Sequence, residues 1–326
     1  MSEPARIIVA SGLFSDLVLE REYLHSESVE IEFGELDSPE AVARSTEGAD
    51  GIVLGTSQFS AQHIEALNET VRVIGRPGVG LDNIDFRAAA VAAVGIIHDP
   101  DYCDEEVATH ALAMILSLAR RLPAASRIAS EDWNDWSKIA PFAPLSEQTV
   151  GIVGGAGRTG SLVVSYIASL AAEVLVCDPR ADDLVANVRI ASLDELLQQS
   201  DIVSLHVPLN QTTRNLIGKQ EIERMRPGAA LVNISRGGLI DERALSVALQ
   251  NGHLSGAAVD VLEFEPPKKD APLLHAPNML ITPHTAWYSS RAENRVRTDT
   301  VGAMLDYLRA TPIRAGRIAL DARGAV

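Results

Sequence analysis

The stretch Val150–Gly160, VGIVGGAGRTG, constrains the fold more than any other. Val150 to Val153 is a short apolar run of the kind that forms a buried strand. Glycines follow at 154, 155, 157 and 160, and Ser161 to Ala172 then carries apolar residues at helical spacing. Strand, glycine turn and helix in that order make a cradle for a pyrophosphate, with the helix N-terminus presenting free N–H groups and partial positive charge. Gly155, Gly157 and Gly160 supply G-x-G-x-x-G, for the tight turn, the close approach of a phosphate and the packing of helix on strand respectively.

The next element strengthens this reading. Glu173 to Asp178, EVLVCD, is a second strand that ends in an acid 18 residues beyond Gly160. A carboxylate there accepts hydrogen bonds from adenosine ribose hydroxyls and repels a 2′-phosphate, so NAD (NADH) is favoured over NADP. Arg180, two residues on, softens that preference.

The rest of the chain repeats the same rhythm. Strands at Arg6–Ala10, Val29–Phe33, Gly51–Leu54, Val71–Gly75 and Gly95–Ile97 alternate with helical stretches, including one at Ser60–Leu67 capped by Ser60. Val107 to Leu122 is a long amphipathic helix that Pro123 stops. Glu131 to Ser146, with Trp133 and Trp136, reads as an irregular connection. After the glycine turn come strands at Asp201–Val207, Ala230–Ile234, Gly256–Val261 and Met279–Thr282, making six in this half. Arg291 to Leu308 is a last helix, and Ala315 to Val326 a loose tail. Such alternation predicts an α/β fold with parallel sheets. At 326 residues the chain has room for two domains.

Composition excludes several functions. The net charge of −16 disfavours direct nucleic-acid binding, which rests on neutralising phosphates. No apolar run approaches the ~20 residues of a membrane span, and no signal peptide is visible. The two cysteines, Cys103 and Cys177, indicate a reducing compartment and cannot make a zinc site alone, so no metal is expected. A cytoplasmic location follows from these features.

In an open α/β sheet, ligands bind beyond the carboxyl ends of the strands. Three polar residues fall there: Arg236 after ALVNIS, Glu265 after AAVDVLEF, and His284 after MLITP. Together they suit a hydride-transfer reaction on a hydroxy acid. A histidine can take or give the alcohol proton near neutrality. A carboxylate can orient the imidazole and favour its protonated form. A guanidinium can bind a carboxylate and polarise a carbonyl. Each residue alone has a plainer reading, as a surface arginine, a solvated glutamate or a structural histidine. In the first half, Gly78 and Gly80 with Arg76 form either an anion-holding turn or a simple strand-to-helix turn with Asp82 as cap. His206 ends a strand and lines the cofactor cleft, while His110 and the remaining histidines show no comparable partners.

The segments RPGVGLDNID, VATHALAMILSLARR, DIVSLHVPLNQTTRNLIG, LVNISRGGLIDERAL, AAVDVLEFEP and ITPHTAW, together with the glycine loop, resemble the D-isomer-specific 2-hydroxyacid dehydrogenase family over nearly the whole chain. DPDYCDEEVATHA and TPHTAWYS look closest to its C-terminal-binding-protein-like branch. The resemblance implies two Rossmann/flavodoxin-like domains. The NAD-binding domain, residues 102–289, is inserted into a discontinuous substrate domain of residues 1–101 and 290–326. It implies His284 as general acid/base paired with Glu265, and Arg236 as binder of the substrate carboxylate and carbonyl. Arg76, Val79, Gly80 and Trp287 would contact substrate. Val107, Arg158, Thr159, the stretch from His206 through Val207 and Pro208 to Thr213, Ile234, Ser235, Arg236, Asp260 and His284 would contact the cofactor. It further implies a homodimer, through the cofactor domains and the arm around Trp133. An NADH-sensing, corepressor-like protein with little turnover is the rival. Phosphoglycerate dehydrogenase stays open, and no regulatory domain is expected after residue 326.

Two departures from the family pattern stand out. The glycine turn carries one extra residue, so that it bulges and weakens cofactor binding. Thr109 stands where the family has an acid, before His110.

Overall fold

Short strands of three to six residues, most of them followed by a helix, build two largely parallel sheets. A computed structural model describes residues 4–131, 133–139, 141–181 and 187–323. The chain divides into two compact units, residues 1–103 with 289–326 and residues 104–288.

The first unit runs β1 (Ala5–Ala10), α1 (Val18–Tyr23), β2 (Val29–Gly34), α2 (Pro39–Ser45), β3 (Gly51–Val53), α3 (Ala61–Glu65), β4 (Val73–Arg76), α4 (Phe86–Val91) and β5 (Gly95–His98). The second runs α5 (Asp104–Ala119), α6 (Leu122–Glu131), β6 (Thr149–Val153), α7 (Arg158–Ile167), β7 (Glu173–Cys177), β8 (Val188–Ile190), α8 (Leu193–Gln199), β9 (Ile202–Leu205), α9 (Lys219–Arg224), β10 (Ala230–Asn233), α10 (Glu242–Gln250), β11 (Gly256–Val259) and β12 (Met279–Ile281). The chain returns to the first unit with α11 (Ser290–Leu308) and β13 (Arg317–Leu320).

The first sheet has the order β13-β5-β4-β3-β1-β2, the flavodoxin-like arrangement with one added antiparallel edge. The second has the order β12-β11-β10-β9-β6-β7-β8, with every pairing parallel. The order in which strands are added reverses between β6 and β9, the switch point beside which such sheets bind ligands. Apolar clusters cover both faces of each sheet. That is why the inner strands read as continuous apolar runs, whereas the edge strand β2 alternates.

Local chemistry sets the helix starts. Ser38, Asp85, Ser192, Asp241 and Ser289 each accept a backbone N–H in the first turn of the helix they precede. The cap of α4 is therefore Asp85, not Asp82, because the turn after β4 is three residues longer than the cap reading assumed. The long helix begins earlier than predicted, at Asp104, where three acids sit in its first turn. Pro123 does not stop it. Arg121 adopts a left-handed φ of 54° that ends α5, and Pro123 lies in the first turn of a new helix, where its missing N–H costs nothing.

Two strands escaped the sequence reading. β8 makes the second sheet seven-stranded. It is a short, half-exposed edge with little apolar signal. The tail is not loose, since Arg317–Leu320 pairs with β5. Residues 324–326 lie outside the described residues. Among the described residues no helix is long and apolar enough to cross a membrane.

Candidate active site

The glycine turn leaves the carboxyl end of β6. Gly154 holds the left-handed backbone, φ +89°, where the motif spacing pointed to Gly155. The extra residue moves the turn back by one. Gly154 O accepts the N–H of Gly157 at 3.0 Å, and Gly157 caps α7 without a side chain. A Cβ on Gly160 would meet Gly154 O at 2.2 Å, and one on Gly155 would meet Val176 Cγ1 at 2.7 Å. Only hydrogen fits at these places, so strand, turn and helix pack closely enough for the first-turn N–H groups of α7 to face one spot. That cradle fits a dinucleotide pyrophosphate.

Asp178 follows β7 beside this turn. Its carboxylate accepts from Ala156 N at 3.1 Å and from Arg180 N at 2.9 Å. Burial pushes this carboxyl up, but Arg180 and the Ala156 N–H together hold it below the usual aspartate value. Arg158, first in α7, makes a two-pronged contact with Asp104, Nε to Oδ2 at 3.0 Å and Nη2 to Oδ1 at 2.9 Å. Thr159 follows it in the first turn. His206, after β9, is fully enclosed, which pushes its imidazole down to about 4 and keeps it neutral. Its Nε2 pairs with Ser204 Oγ at 2.8 Å, and its Nδ1 is buried without a hydrogen-bond partner. Val207 packs against one apolar cluster of the sheet and Val107, on α5, against the other. Thr213 Oγ1 donates to Pro208 O at 2.6 Å, closing the loop between them.

The turn after β10 carries Ile234, Ser235 and Arg236. Ser235 Oγ donates to Leu205 O, and Asn233 Nδ2 donates to Arg236 O, both within 2.9 Å. A Cβ on Gly237 would lie 2.0 Å from the Leu262 carbonyl carbon. Glycine there lets the Arg236 turn press against the loop that carries Glu265. Glu265 Oε1 accepts from Leu262 N at 2.9 Å, which fixes the carboxylate. His284 Nδ1–H donates to Glu265 Oε2 at 2.6 Å, with both side chains about 30% exposed. Burial raises the Glu265 carboxyl, but His284, the Leu262 N–H and Arg236 outweigh it and hold the group below its ordinary value. The structure thus brings Arg236, Glu265 and His284 together at adjacent strand ends.

His284 is itself held in an unusual backbone, φ 54°. Its N–H donates to Asp260 O at 2.8 Å. The buried Asp260 carboxylate accepts from Thr282 Oγ1 at 2.5 Å, Thr285 N at 2.9 Å and Ala286 N at 2.9 Å. His110 Nε2 lies 3.0 Å from Thr282 Oγ1 and 3.8 Å from Asp260. Trp287 Nε1 donates to His284 O at 3.0 Å. His110 does have partners, contrary to the sequence reading. Thr282 was not singled out at all. Only the apolar face of α5 hinted that His110 points inward. Thr109 is exposed, and its hydroxyl donates to backbone carbonyls of Glu105 and Glu106.

In the first unit, Arg76 ends β4 and is buried, with its guanidinium donating to Pro77 O. Gly78 has φ +142°. Val79 is exposed and its carbonyl lies 3.1 Å from His98 Nδ1, while Gly80 is half-buried.

A doubly wound sheet with a glycine cradle and an Arg–Glu–His edge defines a dinucleotide-binding domain of the dehydrogenase class. Residues 112–286 match the model of the D-isomer specific 2-hydroxyacid dehydrogenase NAD-binding domain. The chain belongs to that family, whose cofactor is NAD(H). It is 32% identical to the D-3-phosphoglycerate dehydrogenase of Archaeoglobus fulgidus over 95% of this chain and 58% of that protein. It is 36% identical to that of Bacillus subtilis over 75% of this chain and 46% of that protein. The chain thus spans about half the length of these curated relatives. The D-lactate dehydrogenase of Aquifex aeolicus, solved with NAD and lactic acid, is similar with a TM-score of 0.83 and 29% identity, covering 93% of this chain and 96% of that one.

Proposed function

We propose that the chain interconverts a D-2-hydroxy acid and a 2-keto acid. The observation that carries this is the Glu265–His284 pair with Arg236 beside it, on the same sheet edge as the glycine cradle. NAD(H), when bound, supplies or accepts the hydride. The first-turn N–H groups of α7 at Arg158 and Thr159 would hold its pyrophosphate, and Asp260 and Ser235, at the ends of the neighbouring strands β11 and β10, would face the rest of the dinucleotide. In the reducing direction His284 Nε2 gives a proton to the keto oxygen while Glu265 holds the ring in place through Nδ1. Arg236 binds the substrate carboxylate and polarises the carbonyl. In the oxidising direction the same imidazole takes the proton back.

A second reading, phosphoglycerate dehydrogenase, is favoured by relatives of that name at 32% and 36% identity. Exposed Trp133 and Trp136 support a homodimer. A spectrophotometric screen of 2-keto acids with NADH, including 3-phosphohydroxypyruvate, tests both substrate readings. Turnover should be present in the parent and absent in His284→Ala, with NADH binding retained. Unchanged turnover in that variant sinks the mechanism. NADH-dependent association without turnover on any acid would point to the corepressor-like alternative.

A further inference from the structure

The lengthened glycine turn is latched to the acid that would read the adenosine ribose. Ala156 N–H donates to Asp178 Oδ2 at 3.1 Å. Arg180 donates three more times to the same carboxylate: N to Oδ1 at 2.9 Å, Nε to Oδ1 at 3.4 Å and Nη2 to Oδ2 at 3.4 Å. An ionised carboxylate offers about four acceptor positions, so this one is saturated from within the chain. Its side chain is only 3% exposed, whereas that of Arg180 is 71% exposed.

An acid in this place normally serves NAD in two ways, by accepting from the ribose hydroxyls and by repelling a 2′-phosphate. Asp178 can do neither at full strength. It has no acceptor position to offer until a bond to the turn or to Arg180 is given up. Its charge is countered by a guanidinium in contact and by two N–H groups. Arg180, meanwhile, lies over the turn, with Nη2 3.8 Å from where a Cβ on Gly157 would be. Its guanidinium can meet an anion there by a change of side-chain rotamer alone, and a planar fork of donors suits a phosphate.

We propose that Arg180 and the latched turn form a subsite for an anionic group on the adenosine ribose, so that the chain binds NADPH within about tenfold of NADH. This rests on the dehydrogenase reading above, since it presumes that a dinucleotide lies along the glycine turn.

Binding is measured without turnover. The full chain is titrated with NADH and NADPH by tryptophan-to-nicotinamide energy transfer, and with adenosine 2′,5′-bisphosphate and 5′-AMP by calorimetry. The two dinucleotides should bind within tenfold of each other, and the bisphosphate tighter than 5′-AMP. Arg180→Ala should weaken NADPH and the bisphosphate at least tenfold and leave NADH unchanged or tighter. Deleting Ala156 should free Asp178 and shift selectivity at least tenfold toward NADH. NADPH binding more than tenfold weaker than NADH in the parent, or an unchanged ratio in Arg180→Ala, overturns the subsite while leaving the dehydrogenase reading intact. Failure of both dinucleotides to bind overturns that reading itself.

Discussion

His284 Nδ1 lies 2.6 Å from Glu265 Oε2, and the two residues come from loops after neighbouring strands, β12 and β11. The carboxylate is held in turn by the Leu262 N–H. Because its proton affinity is lowered in spite of burial, Glu265 remains ionised throughout the neutral range. A fixed carboxylate accepting from Nδ1–H sets the tautomer and leaves Nε2 to exchange the proton.

Replacing Glu265 by Gln preserves shape and removes that charge. Turnover should fall by about 100-fold, the lower end of what general acid–base groups contribute. Because His284 and its neighbours hold the Glu265 carboxyl below its ordinary value, the parent should lose activity on the acid side only where that carboxylate is protonated, and the variant should lack that acid limb. A pH–rate profile in both directions checks this. An unshifted profile would show that the contact is only structural.

The Asp260 carboxylate anchors the turn that carries His284 through Thr282, Thr285 and Ala286. Asp260→Ala leaves two backbone N–H groups and a hydroxyl without their acceptor. Stability should drop by about 2–4 kcal/mol, a few times the value of one such buried group. Urea unfolding measures the loss. Turnover should fall further than the affinity for NADH, since His284 loses its fixed placement.

Gly160 sits where no Cβ fits. Gly160→Ala must push α7 away from the turn, and overpacking of this kind costs about 1–3 kcal/mol. NADH affinity, read by fluorescence titration, should weaken more than tenfold. A variant that binds NADH normally would mean that the cradle is not where the cofactor lies.

His206 gives the protein an acid-side weakness. Its imidazole is pushed down to about 4 in the folded state from 6.5 when free, because burial disfavours its charge. Between those values the unfolded chain holds the extra proton, so stability is full above pH 6.5 and is lost progressively as pH falls toward 4. The loss amounts to about 3 kcal/mol at most. Chemical denaturation at pH 7, 5.5 and 4.5 should reveal the slope, and His206→Asn should flatten it.

In the first unit, Arg297 donates to both oxygens of Glu20, at 2.6 and 2.7 Å, with both side chains buried. Its guanidinium also lies 4.6 Å from the Phe14 ring centroid. Glu20→Gln removes the buried charge and leaves Arg297 with the looser carboxylates of Asp16 and Glu293, at 3.5 and 3.7 Å, so the loss should fall short of a fully broken buried pair, at about 2–3 kcal/mol. The melting temperature would fall accordingly. A shift within error would show that water already screens the pair.

What could be read from the sequence was what depends on neighbours in the chain. Apolar runs marked the strands, and Ser60 marked one helix start. The glycine turn declared itself by spacing. Arg236, Glu265 and His284 could be placed at strand ends because a parallel sheet puts every such loop on one edge. The weak elements β8 and β13 were missed, since an edge strand needs little apolar patterning and is defined by its partner.

Residue types and local order determined the two α/β sheets and the edge on which polar groups gather. Tertiary structure decided which of those groups touch. His110 meets Thr282 across 172 residues, and Glu20 meets Arg297 across 277. It also decided that the Ala156 N–H of the lengthened turn meets the Asp178 carboxylate. Periodicity and capping act over a few residues and leave a local trace. Contacts like these form only when sheet order and loop geometry bring distant atoms within hydrogen-bonding range, and no local pattern records them.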